Sequence, residues 1–514
     1  MALKSKMAEY LAPGVYIEET ERGPRPIEGA PTSTTAFLGE TLRGPVAPSR
    51  VTSFGDFVRM FGCTFADDKH MPDALSGFFA NGGHEAYVCR IVGSDGSTAT
   101  RAAGGLTIEA IGPGAWGNSV FVKLTDSTRQ SADDGRPYGF RLQAALWTEP
   151  TPDDLYPDPF DPAQGPPQVA PIVEEFDNLV WDDPDSADFY LKRLEQNSAL
   201  VTISPQSGPL EQQPTAPFAA LTGGADGSWP SVENFRGDPS LQTGLAALQY
   251  DTYRDVALVA APGATDDVVQ ALIEHCEQSR YRFAIVDAPP GQADAVALDP
   301  RAAWDSSYAA FYYPWIQVED SRTGLPRLVP PSGYVAGIYA RTDAERGVWK
   351  APANETVNGA MGLEFDINDP TQDLLNPRGV NAIRQFPGRG IRVWGARTLS
   401  TNPLWKYVSV RRLFIFLERS IDQGTQWAVF EPNDEPLWER IKDDVRQFLR
   451  GLWRDGALMG ATENQAFMIA CDRSTMTQDD IVNGRLICEI GVAPLRPAEF
   501  VIFRIYQATA EAQA

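Results

Sequence analysis

Two strand-like segments constrain this sequence most: Tyr10-Leu11-Ala12-Pro13-Gly14-Val15-Tyr16-Ile17 near the start and Glu499-Phe500-Val501-Ile502-Phe503-Arg504-Ile505-Tyr506 near the finish. Neither has a partner close by in sequence. Terminal segments usually fray because nothing offsets their ordering entropy, yet these two are too apolar to be left in water. A lone strand carries a row of unpaired backbone donors and acceptors, so each must join a sheet in its own chain or in a neighbour's. Two such ends on one chain predict a polymer.

The 514 residues are enough for about three domains. A hydrophobic content of 43% with 10% aromatics places the chain among globular proteins. Apolar runs such as Leu413-Phe414-Ile415-Phe416-Leu417 fall far short of the ~18 residues that span a bilayer, so no membrane insertion is expected. Basic residues in Met1-Ala2-Leu3-Lys4-Ser5-Lys6-Met7 are followed by no apolar stretch, which argues against a secretory signal and for synthesis and folding in a cytoplasm. Five cysteines, Cys63, Cys89, Cys276, Cys471 and Cys488, show no Cys-x-x-Cys spacing. They read as small buried apolar groups rather than a disulfide framework or zinc site.

The formal net charge of −24 disfavours direct nucleic-acid binding. Its distribution is uneven. Glu149 to Glu195 holds thirteen acidic residues against Lys192 and Arg193, and eight prolines crowd Pro150 to Pro171. Little core is expected there, so the stretch reads as an exposed, partly extended excursion. In Arg378 to Arg419, nine cations (Arg378, Arg384, Arg389, Arg392, Arg397, Lys406, Arg411, Arg412, Arg419) face Glu418 alone. Internal ion pairing is one reading. A docking surface for an acidic partner, a nucleic acid or an acidic protein, is the other, since arginine suits bidentate pairing with carboxylates or phosphates. With no aromatics interleaved for a single-strand platform, the acidic protein is preferred of these two.

Hydrophobic periodicity orders the rest. A short buried strand at Thr35 to Glu40 precedes helices near Ser53 to Phe61 and Pro72 to Ala80 and a strand at Ala86 to Val92. The text to Gly223 is β-rich, with strands at Leu106 to Ile111, Ser119 to Leu124 and Phe140 to Leu146, and reads as an insertion. Asp255 to Ala260, Thr265 to Ser279 and Arg282 to Asp287 then spell strand, crossover helix, strand. Amphipathic helices follow at Val408 to Ile421, with Arg411, Arg412 and Arg419 on the non-core face, and at Pro436 to Trp453. Ala466 to Ala470 and Leu486 to Gly491 read as strands. The expected fold class is α+β, mixed α/β. Its domains are a linking arm (1–31), an α/β middle domain (32–92 with 225–365), an inserted β-rich outer domain (93–224), a C-terminal inner assembly domain (366–495) and a linking strand (496–514).

Motifs for chemistry are missing. No Gly-Lys dipeptide occurs, which excludes a phosphate loop of the Walker type, and the βαβ unit runs into Ala261-Pro262-Gly263-Ala264 rather than a dinucleotide fingerprint. Three histidines, His70, His84 and His275, limit acid–base and metal options. After Gly83-His84-Glu85, Val88 stands where a zinc-protease helix needs its second histidine. His275 and Cys276 are adjacent on a helix and so point about 100° apart. Asp366-Ile367-Asn368-Asp369 opens like a calcium loop but has Thr371 and Pro377 where glycine and glutamate are required. No Gly-x-Ser-x-Gly elbow occurs. Neither catalytic residues, metal nor cofactor is expected.

Pro13-Gly14-Val15-Tyr16-Ile17-Glu18-Glu19, Phe79-Ala80-Asn81-Gly82-Gly83 through Tyr87-Val88-Cys89-Arg90, and Pro330-Pro331-Ser332-Gly333-Tyr334-Val335-Ala336-Gly337 form an ordered series. It continues through Arg346-Gly347-Val348-Trp349-Lys350-Ala351-Pro352-Ala353-Asn354, Leu375-Asn376-Pro377-Arg378-Gly379-Val380-Asn381, Arg411-Arg412-Leu413, Glu431-Pro432-Asn433 and Pro497-Ala498-Glu499-Phe500. In this order the chain resembles the contractile tail sheath family of phage tails, contractile bacteriocins and injection systems. The resemblance implies a structural subunit that stacks as hexameric rings around an inner tube and contracts to drive that tube through a target envelope. It also implies arms that add strands to neighbouring subunits, here through Val15, Tyr16, Ile17, Phe500, Val501, Ile502, Phe503 and Ile505, with Glu18 to Pro31 as a hinge. Implied partners are further copies of the chain, an inner tube protein, and baseplate and terminator or cap proteins. Arg411, Arg412 and Arg419 become candidate inner-tube contacts. The alternatives are an α/β enzyme, hydrolase-like, dimerising through its terminal strands, or a non-contractile phage tail protein.

Overall fold

The computed structural model describes residues 26–63, 66–130, 135–149, 156–165, 167, 169–195, 197–204, 210, 212–320 and 322–504. The segment with Val15, Tyr16 and Ile17, and also Ile505, lies outside the described residues.

Continuous apolar runs bounded by turns predict strands buried on both faces, and they meet in one nine-stranded sheet. Its strands are β1 (Thr35–Gly39), β2 (Ser49–Val51), β3 (Ala86–Arg90), β4 (Leu258–Ala260), β5 (Phe283–Asp287), β6 (Ala309–Tyr313), β7 (Glu355–Thr356), β8 (Val380–Phe386) and β9 (Gly390–Val393). The spatial order is β7-β9-β8-β6-β5-β4-β1-β3-β2. Pairing is parallel from β3 through β1, β4, β5 and β6 to β8, and antiparallel at both margins. Within it, β3-β1-β4-β5-β6 is the order of a doubly wound fold.

Alternation along each strand sends successive side chains to opposite faces. Phe37, Ile285 and Tyr312 enter a core with helices α1 (Phe54–Phe61) and α2 (Met71–Ala80), while Leu38, Val286 and Phe311 enter one with helix α3 (Asp266–Ser279). Helix α4 (Ser332–Arg346) lies in the first core and is buried nearly all round from Ser332 to Ala340. It packs on α2 at van der Waals limits: a Cβ on Gly333 would come within 2.4 Å of the Ala74 backbone, and one on Gly77 within 2.3 Å of the Tyr334 ring. Small residues therefore set the α2–α4 spacing.

Between β3 and β4 the chain leaves the sheet and returns through the bridge Ser97↔Ala225. The insertion has its own core, with Ile108, Val122, Leu142, Leu200 and Leu221 among its buried residues. That core lies between a three-stranded sheet (Thr100–Ala103, Leu106–Ala110, Val201–Ile203) and a four-stranded one (Ala216–Ala220, Val120–Asp126, Phe140–Leu146, Ile172–Leu179). The acidic stretch departs from its sequence reading here. Ile172–Leu179 is an edge strand paired with Phe140–Leu146, and Leu179, Tyr190 and Leu194 are core residues. Its carboxylates are used as ties: Glu174 accepts from Ser198 Oγ at 2.6 Å and from the Ala199 amide at 2.8 Å, and Asp158 pairs with Lys123 at 2.6 Å.

Strands β8 and β9 belong to the large sheet, so the expected start of a C-terminal domain at 366 falls inside the main body. A second compact unit comprises residues 420–493 together with 26–28. Its main helix, α6 (Glu435–Arg454), is capped by the Asp434 side chain, which accepts from the Leu437 amide at 3.1 Å. Leu437, Ile441, Val445, Leu449 and Leu452 form its buried stripe. Strands β10 (Phe467–Ala470) and β11 (Glu489–Val492) make an antiparallel two-stranded sheet. Helix α5 (Val408–Thr425) precedes α6.

Candidate assembly surfaces

Doubly wound sheets bind ligands in the crevice beyond the carboxyl ends of their strands. Here the chain's own side chains occupy that region. Gly263, in the loop after β4, takes a positive φ of +67° and packs against His70, whose ring stands edge-on to Trp315 at 5.0 Å. Trp315 Nε1 donates to the Ala288 carbonyl just past β5 at 2.7 Å. Burial, with Arg327 nearby, lowers the His70 pKa to about 4, which keeps the ring neutral. Asp287, at the end of β5, accepts from the Ser332 amide at 2.7 Å, from Ser332 Oγ at 2.6 Å and from the Gly263 amide at 3.2 Å. It holds the first turn of α4 to the sheet. His275 lies against the buried Arg282 guanidinium at 3.2 Å, and burial lowers its pKa to about 3. His84 is exposed in the loop before β3. Among the described residues, no three His, Cys, Asp or Glu side chains are grouped to hold a metal.

A cavity of about 420 Å³ opens at the ends of β1 and β3, lined by Arg43, Lys69, Arg90, Trp116, Trp147 and Trp229 among others. Its cations are committed to the protein. Arg43 donates to the Val58 and Arg59 carbonyls, Arg90 to the Gly44 and Pro113 carbonyls, and Lys69 pairs with Glu40 and sits over the Trp229 ring. Arg90 thereby ties the insertion to the sheet.

Helix α5 overturns the reading of Arg411, Arg412 and Arg419 as a solvent-facing docking stripe. All three are buried, 5%, 3% and 2% exposed. Arg411 stacks on Trp405 and Tyr308, at 4.1 and 4.6 Å to the ring centroids, and pairs with Glu418 at 3.2 Å. Arg412 grips Asp343 of α4 bidentately, donates to the Thr32 carbonyl at 2.9 Å and covers the Tyr339 ring. Arg419 reaches Asp255 and the Val256 carbonyl, each at 3.3 Å. Burial lowers the pKa of Arg411 and Arg419. These guanidinium groups bind α5 to its own chain and offer no face to a partner. The correction has a simple cause: the helical pattern gave their spacing, but Asp343 and Asp255 lie too far away in sequence for it to reveal.

What the described residues leave exposed and apolar in one row lies after the sheet. Glu499 is caged. Its carboxylate accepts from Arg397 Nε at 2.7 Å and Nη2 at 2.8 Å, from Asn376 Nδ2 at 2.9 Å, from Tyr407 Oη at 3.0 Å and from Lys406 Nζ at 3.1 Å. Burial opposes ionisation, but the hydrogen bonds from Arg397 and Asn376, the Arg397 charge and Lys406 outweigh it and hold the pKa down to about 2. Immediately beyond, Phe500, Val501, Ile502 and Phe503 are 70%, 69%, 76% and 83% exposed and pair with no strand of the described chain. The apolar row is legible from the sequence and the cage is not, although Asn376 and Glu499 both lie in motifs shared with the sheath family.

Residues 236–399 match the family model for the phage tail sheath protein central domain, and residues 400–508 match that for the phage tail sheath C-terminal domain. The chain belongs to the phage tail sheath family. A prophage major tail sheath protein of Pseudomonas aeruginosa is 31% identical over 274 residues, covering 51% of this chain and 69% of the relative. The tail sheath protein of Burkholderia phage BcepMu is 31% identical over 241 residues, 43% of this chain and 50% of the relative. Among solved structures, a chain of the anti-feeding prophage baseplate is 25% identical with a TM-score of 0.57, covering 97% of this chain and all of that one. The sheath of an extracellular contractile injection system in its contracted state shares the fold at 23% identity and a TM-score of 0.57, over 99% of this chain. The protein is thus a structural sheath subunit and not an enzyme. No helix among its described residues is long and apolar enough to cross a membrane.

Proposed function

We propose that this sheath subunit stacks as hexameric rings around an inner tube, linked to its neighbours by its terminal segments, and that contraction of the assembly drives the tube through a target envelope. One observation carries the reading: four consecutive apolar residues, Phe500 to Phe503, stand exposed directly after a carboxylate pinned by five hydrogen bonds. Such a segment gains both main-chain hydrogen bonds and apolar burial by adding to a sheet of another subunit. The sheet of β10 and β11 suits the acceptor role, since a two-stranded sheet is marginal alone and, among the described residues, has both edges unpaired. The segment with Val15, Tyr16 and Ile17 would act likewise. Baseplate and cap proteins would close the ends of the cylinder, assembled in a bacterial cytoplasm as part of a phage tail or an injection particle. Motion would come from rigid bodies turning while the arms stay linked, without nucleotide.

Deleting residues 500–514 tests this. Electron microscopy should show hollow striated cylinders for the full chain and folded monomers for the truncated one, and removing Met1 to Thr20 should have the same effect. Cylinders formed by either truncated chain would overturn the linking role of that arm.

A further inference from the structure

The pairing of β10 with β11 runs from Phe467↔Val492 to Ala470↔Glu489. One further step in this register sets Cys471 opposite Cys488, at the mouth of the loop 472–487. Directly opposed residues of an antiparallel pair have Cα atoms about 4.5 or 5.5 Å apart, within the roughly 4.4–6.8 Å that a disulfide spans. The two thiols lie close enough to affect each other's ionisation, and both are free. Thr475 Oγ1 donates to the Ile487 carbonyl at 2.8 Å, which holds the loop closed beside Cys488. Cys471 is buried and Cys488 is partly exposed, so a small oxidant in solvent can reach the pair from one side.

We propose that Cys471 and Cys488 are a facing thiol pair that closes to an intrachain disulfide on meeting a two-electron oxidant of the peroxide class. In that reaction the Cys488 thiol loses its proton and its sulfur attacks a peroxide oxygen. The O–O bond breaks, leaving Cys488 as a sulfenic acid and releasing hydroxide, which takes up that proton as water. The Cys471 sulfur then attacks the Cys488 sulfur, the S–O bond breaks, and the departing hydroxide leaves as water with the Cys471 proton. The balance is two thiols and one hydrogen peroxide giving one disulfide and two waters. Burial raises both thiol pKa values, that of Cys471 to about 12, so closure is slow beside that of an exposed, acidic thiol. The bond would fix the register of β10 against β11 and would not depend on the proposed assembly.

Full-length protein treated with hydrogen peroxide should lose about 2 Da, the two hydrogens of the pair. Non-reducing digestion after alkylation in denaturant should then give a peptide joining Cys471 to Cys488, with Cys63, Cys89 and Cys276 alkylated. Both Cys488→Ser and Cys471→Ser should abolish it, and the partly exposed position of Cys488 makes its variant the one that keeps the fold, checked by circular dichroism. The proposal is overturned if all five cysteines are alkylated after oxidation, if the link joins either thiol to another cysteine or another chain, or if Cys488 stops at an oxygenated acid with no link.

Discussion

Helix α5 and the segment after Glu499 invert the usual placement of side chains in opposite ways. The helix hides three arginines, while the segment displays Phe500, Val501, Ile502 and Phe503 to solvent. Each buried guanidinium has an anion, carbonyl or ring of its own chain beside it, so its desolvation is compensated internally. The exposed apolar row has no such partner in the described chain. The first region is thus complete within the described residues and the second is not, and the second is the one on which the proposed assembly rests. A cluster of like charges in a sequence need not be a docking face, whereas an apolar run that the fold leaves in water asks for another chain.

Removing one partner of the buried charge pair should give the largest effect. Arg412→Ala leaves Asp343, itself 6% exposed at the side chain, without a counter-charge, and should cost about 3–5 kcal/mol in urea unfolding. A cost below about 1 kcal/mol, typical of an exposed pair, would return Arg412 to the surface and erase the contrast. Glu499→Ala should cost about 2 kcal/mol, since it strips the cage while solvent still screens part of the site. It should also reduce cylinder formation by freeing the root of the segment.

The same carboxylate sharpens the comparison through pH. Its pKa is depressed from 4.5 to about 2 in the folded chain. The stabilisation is therefore complete above the unfolded value and is lost as pH falls from about 4.5 towards 2. Glu499→Gln should flatten that limb of the stability curve, and an unchanged limb would assign it to other carboxylates. The smallest effect on stability belongs to the arm: Phe500→Asp with Ile502→Asp should change subunit unfolding by less than about 0.5 kcal/mol while abolishing cylinders in electron microscopy.

Much of this was legible in the sequence where period and punctuation were strong. The βαβ unit from Leu258 to Asp287, the strand Phe140–Leu146 and the helix Glu435–Arg454 lie within a few residues of where apolar spacing and Pro436 put them. Helix α4 gave no such signal, because a helix buried nearly all round has no polar face to set a period. Ile172–Leu179 hid among acidic residues, as an edge strand with one wet face can. The cage around Glu499 could not be read from spacing, since Asn376 is 123 residues away and Arg397 is 102. The exposed row beyond it could, because its demand for a partner is a property of the segment itself.

The cage also decides where a mechanical load would enter the subunit. A pull along the terminal segment reaches the body at residue 499, where it is shared at once among Arg397, Asn376, Lys406 and Tyr407. Arg397 is fastened in turn to the Asn376 carbonyl, and its own amide to the Asn381 side chain on β8. A pull arriving there is thus spread over several bonds at one anchor point rather than falling on one.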